Sequence, residues 1–329
     1  IDTTNDEFFL NKRSCFPFTR SDATCTESGQ REQFNMLPAF IDGSAVYGSN
    51  SEKAEKLRTK TGGLLRTHYL GPTLPSNRQT GFVNQFPFPT SEKLIAGDVR
   101  ATEQPGLAAI HSLFVLEHNR IANEFTEADP SLTDEEVYQT ARSLVGAQIQ
   151  NIAYTEFLPV VLGPKAMAFY NLSLPTEGTT VCNSSVNPNV YNEVATFAFR
   201  FGHSLIPNFF KPAAQPLDTM NDICPLKDNF FQVEEFVVGK DFSGQAWQNL
   251  LLGISSSKSP PMDAKLSKHI TNFLFCGTNC DFTHGFGQDL AARNIQRGRD
   301  HGLPGYVKYR EFCGLTIPTN WEDKPAEIS

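Results

Sequence analysis

Two short runs hold the residues best suited to chemistry: FAFRFGHSLI at 197–206 and NIQRGRDHGLPGY at 294–306. An imidazole that binds a metal through one ring nitrogen needs a partner for the other, and an asparagine or carbonyl distant in sequence is a usual solution. His203 and Asn294 offer that pairing, and Arg200 stands three positions before His203, on the same helical face. A third run, GDVRATEQPGLAAIHSLFVLEHNRIANEF at 97–125, sets Arg100 and Glu103 three apart, on one face if a helix begins that early. Singly, each has an ordinary explanation. A histidine on an apolar helix is usually a hydrogen-bonded core residue, an Arg and Glu at this spacing form a solvated ion pair, and the 294–306 run reads as a helix end with a Gly-Pro turn and surface ion pairs among Arg297, Arg299 and Asp300. Agreement among three separate runs is what chance packing does not supply.

The elements that must place these residues are mainly helical. Ile110, Leu113, Phe114, Ile121 and Phe125 recur at spacings near three and four, which predicts a long helix over 104–127, with Pro105 in a first turn that tolerates it. Thr133 and Glu136 form a capping box opening a second helix through Val137, Ala141, Leu144, Val145 and Ile149 to about residue 157, with Pro159 as its stop. A third, over 192–205, carries His203 beside Phe197, Phe201 and Leu205, so the ring is expected to leave solvent. Shorter helices are predicted over 245–252, 264–274, 290–298 and 305–312, and 231–238 is the best candidate for a strand. Residues 1–35 read as an irregular arm, Pro and Gly punctuate 62–89 and 207–225, and no internal repeat appears. The expectation is one all-α domain over 1–329, with long irregular loops and very little β.

A net charge of -8 argues against a nucleic acid partner, because phosphate binding needs clustered cations. The longest apolar stretches, such as 157–162, fall far short of the roughly 20 residues that span a bilayer. No signal pattern stands in residues 1–10. The seven cysteines, at 15, 25, 182, 224, 276, 280 and 313, lack zinc-site spacing. Sequons at Asn171-Leu172-Ser173 and Asn183-Ser184-Ser185 flank Cys182 in a polar stretch, which suits a surface loop of a secreted glycoprotein with disulfide bonds. An odd total leaves one sulfur to pair elsewhere.

Together the three runs resemble the animal haem peroxidase family, in wording and order, over most of the chain. The resemblance implies that His203 is the proximal ligand of a b-type haem iron, that Asn294 bonds its other ring nitrogen, and that Arg200 and Arg297 lie near the haem propionates. It implies that Arg100 stabilises the charge that develops as the peroxide O–O bond breaks, and that Glu103 can form an ester with a haem methyl. Gln104 stands where one branch of the family has a methionine bonded to haem, which implies a less oxidising haem here. His111, Glu117 and His118 fall in the family's structural helix, as polar core contacts, and Leu116 replaces a usual arginine, losing one local ion pair. Phe40-Ile41-Asp42-Gly43-Ser44 resembles the family's calcium loop: a Phe40 carbonyl, the Asp42 carboxylate and the Ser44 hydroxyl are hard oxygen ligands. Pro38 replaces a usual threonine there.

The family's distal histidine, the base that moves the peroxide proton, lies further upstream of Arg100 than this chain extends, and the family continues past Cys313-Gly314-Leu315 into a further helical portion. The expectation is a central and proximal part, with the distal base supplied by a separate chain or segment. Cys15 resembles a cysteine bridged upstream, or pairs with Cys25; Cys25 falls near a position that links subunits in one relative, which allows a disulfide-linked oligomer. The implied activity is that of a secreted or granule peroxidase, reducing hydrogen peroxide and oxidising halide, pseudohalide or phenolic donors. The competing class is a noncatalytic haem-binding or adhesion module on the same scaffold.

Overall fold

Gln104 caps the longest helix, α3 (Pro105–Ala128), by accepting a 2.6 Å hydrogen bond from the Gly106 N–H, and Pro105 fills a position whose N–H would have no helical partner. The structure, a computed structural model, describes residues 1–6, 9, 15–69, 85–86, 96–175, 177, 183–214, 218–219, 223–233, 246–276, 287–323 and 325. Two compact units make up the chain: Ile1–Phe34, Val190–Gly202 and Leu290–Ser329 form one, and Asn35–Asn189 with His203–Asp289 form the other.

In the second unit α3 is apolar on two sides, and both are covered. Val115, Ile121 and Ala122 pack with Val46, Tyr47, Leu57, Leu65 and with Val137, Tyr138, Ala141 and Val145 of α4 (Asp134–Ile152). Ala108, Ala109 and Leu116 pack with Val233, Trp247 and Leu250, the last two from the helix Ala246–Ser256. Leu116 therefore exchanges an ion pair for burial in an apolar cluster. Helix α4 opens on the expected capping box, Thr133 with Glu136. Its predicted stop at Pro159 is not where the chain breaks. A π turn, Ala153–Phe157, resets the hydrogen-bond register, so that Pro159 falls in the first turn of α5 (Leu158–Phe169), where its missing N–H costs little. The break comes at Gly163, whose φ of 76° precedes Pro164.

The predicted helix over 192–205 is likewise two pieces, α6 (Asn192–Thr196) and a 3₁₀ helix, Ala198–Leu205. Arg200 Nε donates to the Thr196 carbonyl, the acceptor an α-helix would give to the Arg200 N–H, and that N–H turns instead to the Phe197 carbonyl at 3.0 Å. The helix expected over 264–274 shortens to Lys268–Thr271, because the Asp263 and Lys265 N–H groups are taken by the side chains of Ser204 and Asp263. The helices Leu290–Asp300 and Tyr306–Phe312 lie as expected. Besides α5, two further α-helices among the described residues were not anticipated: α1 (Ser44–Tyr47) and α2 (Ser51–Leu57), although Asn50, which accepts from the Lys53 N–H, is a legible cap.

Extended structure among the described residues comprises antiparallel two-stranded ladders, such as Ala23–Cys25 with Arg31–Gln33 inside the expected irregular arm, and isolated bridges such as Arg58 with Leu65. The strand expected over 231–238 does not begin where predicted: Phe231 turns with φ 59°, and 234–238 lie outside the described residues. Gly63 has a visible reason: φ is 69°, and a Cβ would stand 2.6 Å from the Tyr138 N–H nitrogen and Val137 Cγ1. Cys15, Cys25 and Cys313 are free thiols, so Cys15 and Cys25 do not bridge each other, whereas Cys276 is disulfide-bonded. Cys182 and Cys280 lie outside the described residues. No described helix is long and apolar enough to cross a membrane.

Candidate functional site

Arg100 is placed by the turn before α3, not by the helix. Asp98 Oδ1 accepts the Arg100 N–H at 2.7 Å, and the Glu103 N–H closes on the Arg100 carbonyl at 2.9 Å. Since α3 starts at Pro105, Arg100 and Glu103 do not share a helical face as the spacing suggested. The Arg100 guanidinium forks onto Asp98 instead, Nε to Oδ1 at 2.9 Å and Nη2 to Oδ2 at 2.7 Å, which holds the Asp98 carboxyl below its ordinary range and the guanidinium above its own. Burial pushes the Glu103 carboxyl up, against the opposing pull of Arg100. Gln104 is spent as the α3 cap. Asp98 was not singled out in sequence, although its place two residues before an arginine is the mark of a side-chain turn.

The candidate calcium loop joins this strip through its backbone. The Gly97 N–H bonds the Val46 carbonyl at 3.2 Å and the Asp98 N–H the Ala45 carbonyl at 2.9 Å; a Cβ on Gly97 would stand 2.3 Å from the Ser44 carbonyl oxygen. Within the loop Asp42 Oδ1 accepts the Ser44 N–H at 2.9 Å, and Phe40 is exposed. Among the described residues no three His, Cys, Asp or Glu side chains converge as a metal cluster.

His203 sits in the 3₁₀ helix, half-buried, less withdrawn from solvent than the α-helical reading implied; Ser204 beside it is buried and accepts the Asp263 N–H at 3.2 Å. In the first unit Asn294 Oδ1 accepts from Arg200 Nη1 at 2.5 Å. Around that bond stands a cluster of guanidinium groups. Burial, then the charge of Arg297, depress both Arg200 and Arg293. Arg297 lies 4.3 Å over the Phe18 ring and donates to the Thr19 carbonyl and to Asp300 Oδ2, each at 3.0 Å.

Asp300 is no surface partner: its side chain is 1% exposed. Burial alone would raise its pKa, yet Arg20 at 2.5 Å, the Ser21 N–H and Arg297 together hold it far below the carboxylate range. His301 ties three segments, with Nε2 on Ser21 Oγ at 2.6 Å and Nδ1 on Thr196 Oγ1 at 2.9 Å and Asn192 Oδ1 at 2.8 Å. Phe18, Arg20, Arg293 and His301 were not assigned roles in sequence, because the contacts that define them run between segments some 280 positions apart.

Residues 1–329 match the family model described as animal haem peroxidase. The chain belongs to the animal haem peroxidase family. This peroxidase-family chain is 37% identical to eosinophil peroxidase of Homo sapiens over 337 residues, covering 96% of the chain and 44% of that protein. It is 36% identical to peroxidasin homolog pxn-2 of Caenorhabditis elegans over 334 residues, 95% of the chain and 24% of the relative. The chain thus spans less than half of the length of these curated relatives. Peroxidase A of Dictyostelium discoideum superposes with a TM-score of 0.76 at 30% identity, over 94% of this chain and 59% of that one. Fatty acid alpha-dioxygenase of Arabidopsis thaliana, at 20% identity and a TM-score of 0.69 over 94% of this chain and 50% of its own, shares the fold.

The mainly helical fold read from sequence is therefore that of the peroxidase family. Haem is the family's cofactor, and the residues present fit it. In the first unit burial and the charge of Arg297 depress Arg200 and Arg293, a cationic cluster suited to carboxylates; in the second, Glu103 has a carboxyl pushed up by burial and the His203 imidazole is half-buried.

Proposed function

We propose that this chain is the central and proximal part of a haem peroxidase that reduces hydrogen peroxide and oxidises halide, pseudohalide or phenolic donors. The observation that carries the reading is that Arg100, His203 and Asn294 fall, in that order, inside a family match over the whole chain. Bound haem supplies the redox-active iron. His203 would hold that iron, and Asn294 would fix the imidazole by accepting a hydrogen bond from its other ring nitrogen. Arg200 and Arg297 would pair with the propionates, and Glu103 would tether the macrocycle as an ester to a haem methyl, a change from C–H to C–O for which hydrogen peroxide would be the two-electron oxidant. Arg100 would meet the negative charge on the departing oxygen, with Asp98 fixing its direction. The proton moved between the two peroxide oxygens needs a base, here assigned to a segment outside this chain. The Phe40 carbonyl, Asp42 carboxylate and Ser44 hydroxyl would give calcium three oxygen ligands. The two sequons support a secreted or granule location.

A second reading, a noncatalytic haem-binding or adhesion module, draws on one observation: the Arg100 fork is already closed on Asp98. The natural protein separates the two. A Soret band with peroxide turnover is expected, and Arg100→Leu should keep the band while turnover falls about 100-fold, the cost of one lost transition-state donor. A Soret band that survives acid acetone extraction marks a covalent Glu103 link. Bound haem without turnover in the unaltered protein leaves the module reading standing.

A further inference from the structure

The aromatic pair at the end of α5 lies far outside the strip around Arg100 in sequence, and it needs its own account. Phe169 is 81% exposed and Tyr170 66% exposed, and the rings meet edge to face at 4.8 Å. Buried Met167 anchors the same turn, its carbonyl accepting the Leu172 N–H at 2.9 Å. The Tyr170 N–H closes on Ala166 at 3.0 Å and the Asn171 N–H on Ala168 at 3.2 Å. Asn171 enters the left-handed region with φ 51°, a conformation asparagine tolerates at a helix end better than other residues with a Cβ. The turn delivers Asn171-Leu172-Ser173 to the surface with Asn171 and Ser173 exposed, and no described residue bonds the Asn171 side-chain amide.

We propose that Asn171 carries an N-linked glycan whose first sugar covers the Phe169 ring; the proposal rests on the secretory reading above. The ring stands two positions before the amide, with Tyr170 between them, and the chain bends at Asn171 itself. The polarised C–H face of a pyranose suits the electron-rich face of a phenyl ring, and it shields apolar surface that would otherwise meet water. The donor is a lipid-pyrophosphate-linked oligosaccharide. The Asn171 Nδ2–C1 bond forms as the sugar C1–O bond breaks, Nδ2 gives up one proton, and the lipid pyrophosphate leaves with the electron pair. At the second sequon, Asn183 Oδ1 accepts from the Ser185 N–H at 3.0 Å and from the Ser185 hydroxyl at 2.6 Å, in an exposed turn without an aromatic two residues before it. It serves as the internal control.

The test is peptide mass analysis of the natural protein secreted from eukaryotic cells, after enzymatic removal of N-glycans in heavy-oxygen water, which marks each occupied asparagine as labelled aspartate. Asn171 is expected to carry the label, and Asn171→Gln to remove one glycan. Phe169→Ala should lower Tm by about 2 °C in the glycosylated protein and leave it unchanged in the Asn171→Gln background. A labelled Asn183 with bare Asn171 overturns this proposal alone. Two bare sequons overturn the secretory reading with it. A modified Asn171 whose Phe169→Ala loss persists without the sugar overturns the sugar-on-ring contact.

Discussion

Replacing His118 with alanine should cost about 4 kcal/mol of stability near neutral pH, as cavity formation adds to two stranded polar groups. The ring is wholly buried in the middle of α3. Nε2 stands 2.8 Å from the Gly63 carbonyl, which can only accept, so Nε2 carries the proton and Nδ1 accepts from the Tyr47 hydroxyl at 2.9 Å. A second proton, on Nδ1, would force the Tyr47 hydroxyl to turn from donor to acceptor and would bury a charge. Burial depresses the pKa from 6.5 to about 4, opposed in part by the Gly63 carbonyl. The folded state therefore holds the ring neutral, while the unfolded chain takes up the proton as pH falls below 6.5. The stabilisation is complete above that value and is lost as pH falls toward 4, a change of about 3 kcal/mol from this one group. Urea unfolding of the wild type and His118→Ala at pH 7 and pH 4 should show the gap between them narrowing by about that amount. A gap that stays constant would mean that His118 titrates normally.

Arg58→Ala should cost about 3 kcal/mol, and Arg58→Met only about 1 kcal/mol, because most of the loss is packing rather than charge. The side chain is 4% exposed, its guanidinium 3.9 Å over the Tyr138 ring, with Nη2 on Asp134 at 2.7 Å and Nη1 on Glu135. Glu135 is 60% exposed, so water and salt screen much of that pair and rehydrate the carboxylate once the arginine is gone. The stem over Tyr138 has no such substitute, and methionine restores most of it. Thermal melts of the two variants decide the matter: equal losses would put the energy in the ion pairs.

How far such features can be read in advance depends on the range of the interactions that make them. The start of α3 at Pro105 and the Thr133 cap of α4 are local, set by residues within one turn, and they were legible. The extension past Pro159 was not, because the π turn before it has no sequence mark of its own. The division of 192–205 was hidden for a related reason: it turns on Arg200 taking the Thr196 carbonyl, a choice made by the Asn294 side chain 94 positions away. Arg100 was found by its run, while its partner Asp98 went unnoticed beside it. Asp300 had only the ordinary reading of a surface ion pair and His301 had no role, because their partners Arg20, Ser21 and Asn192 come from distant segments.

The imidazole at 203, proposed above as the protein's bond to haem iron, is tested most directly by a cavity variant. His203→Gly in the natural protein should lose the nitrogen-ligated spectrum, measured by absorption and by electron paramagnetic resonance, and free imidazole should restore it in saturable fashion. A variant that keeps the unaltered spectrum with no imidazole added would show that the iron is held elsewhere, and the roles assigned to Asn294 and Arg200 would go with it.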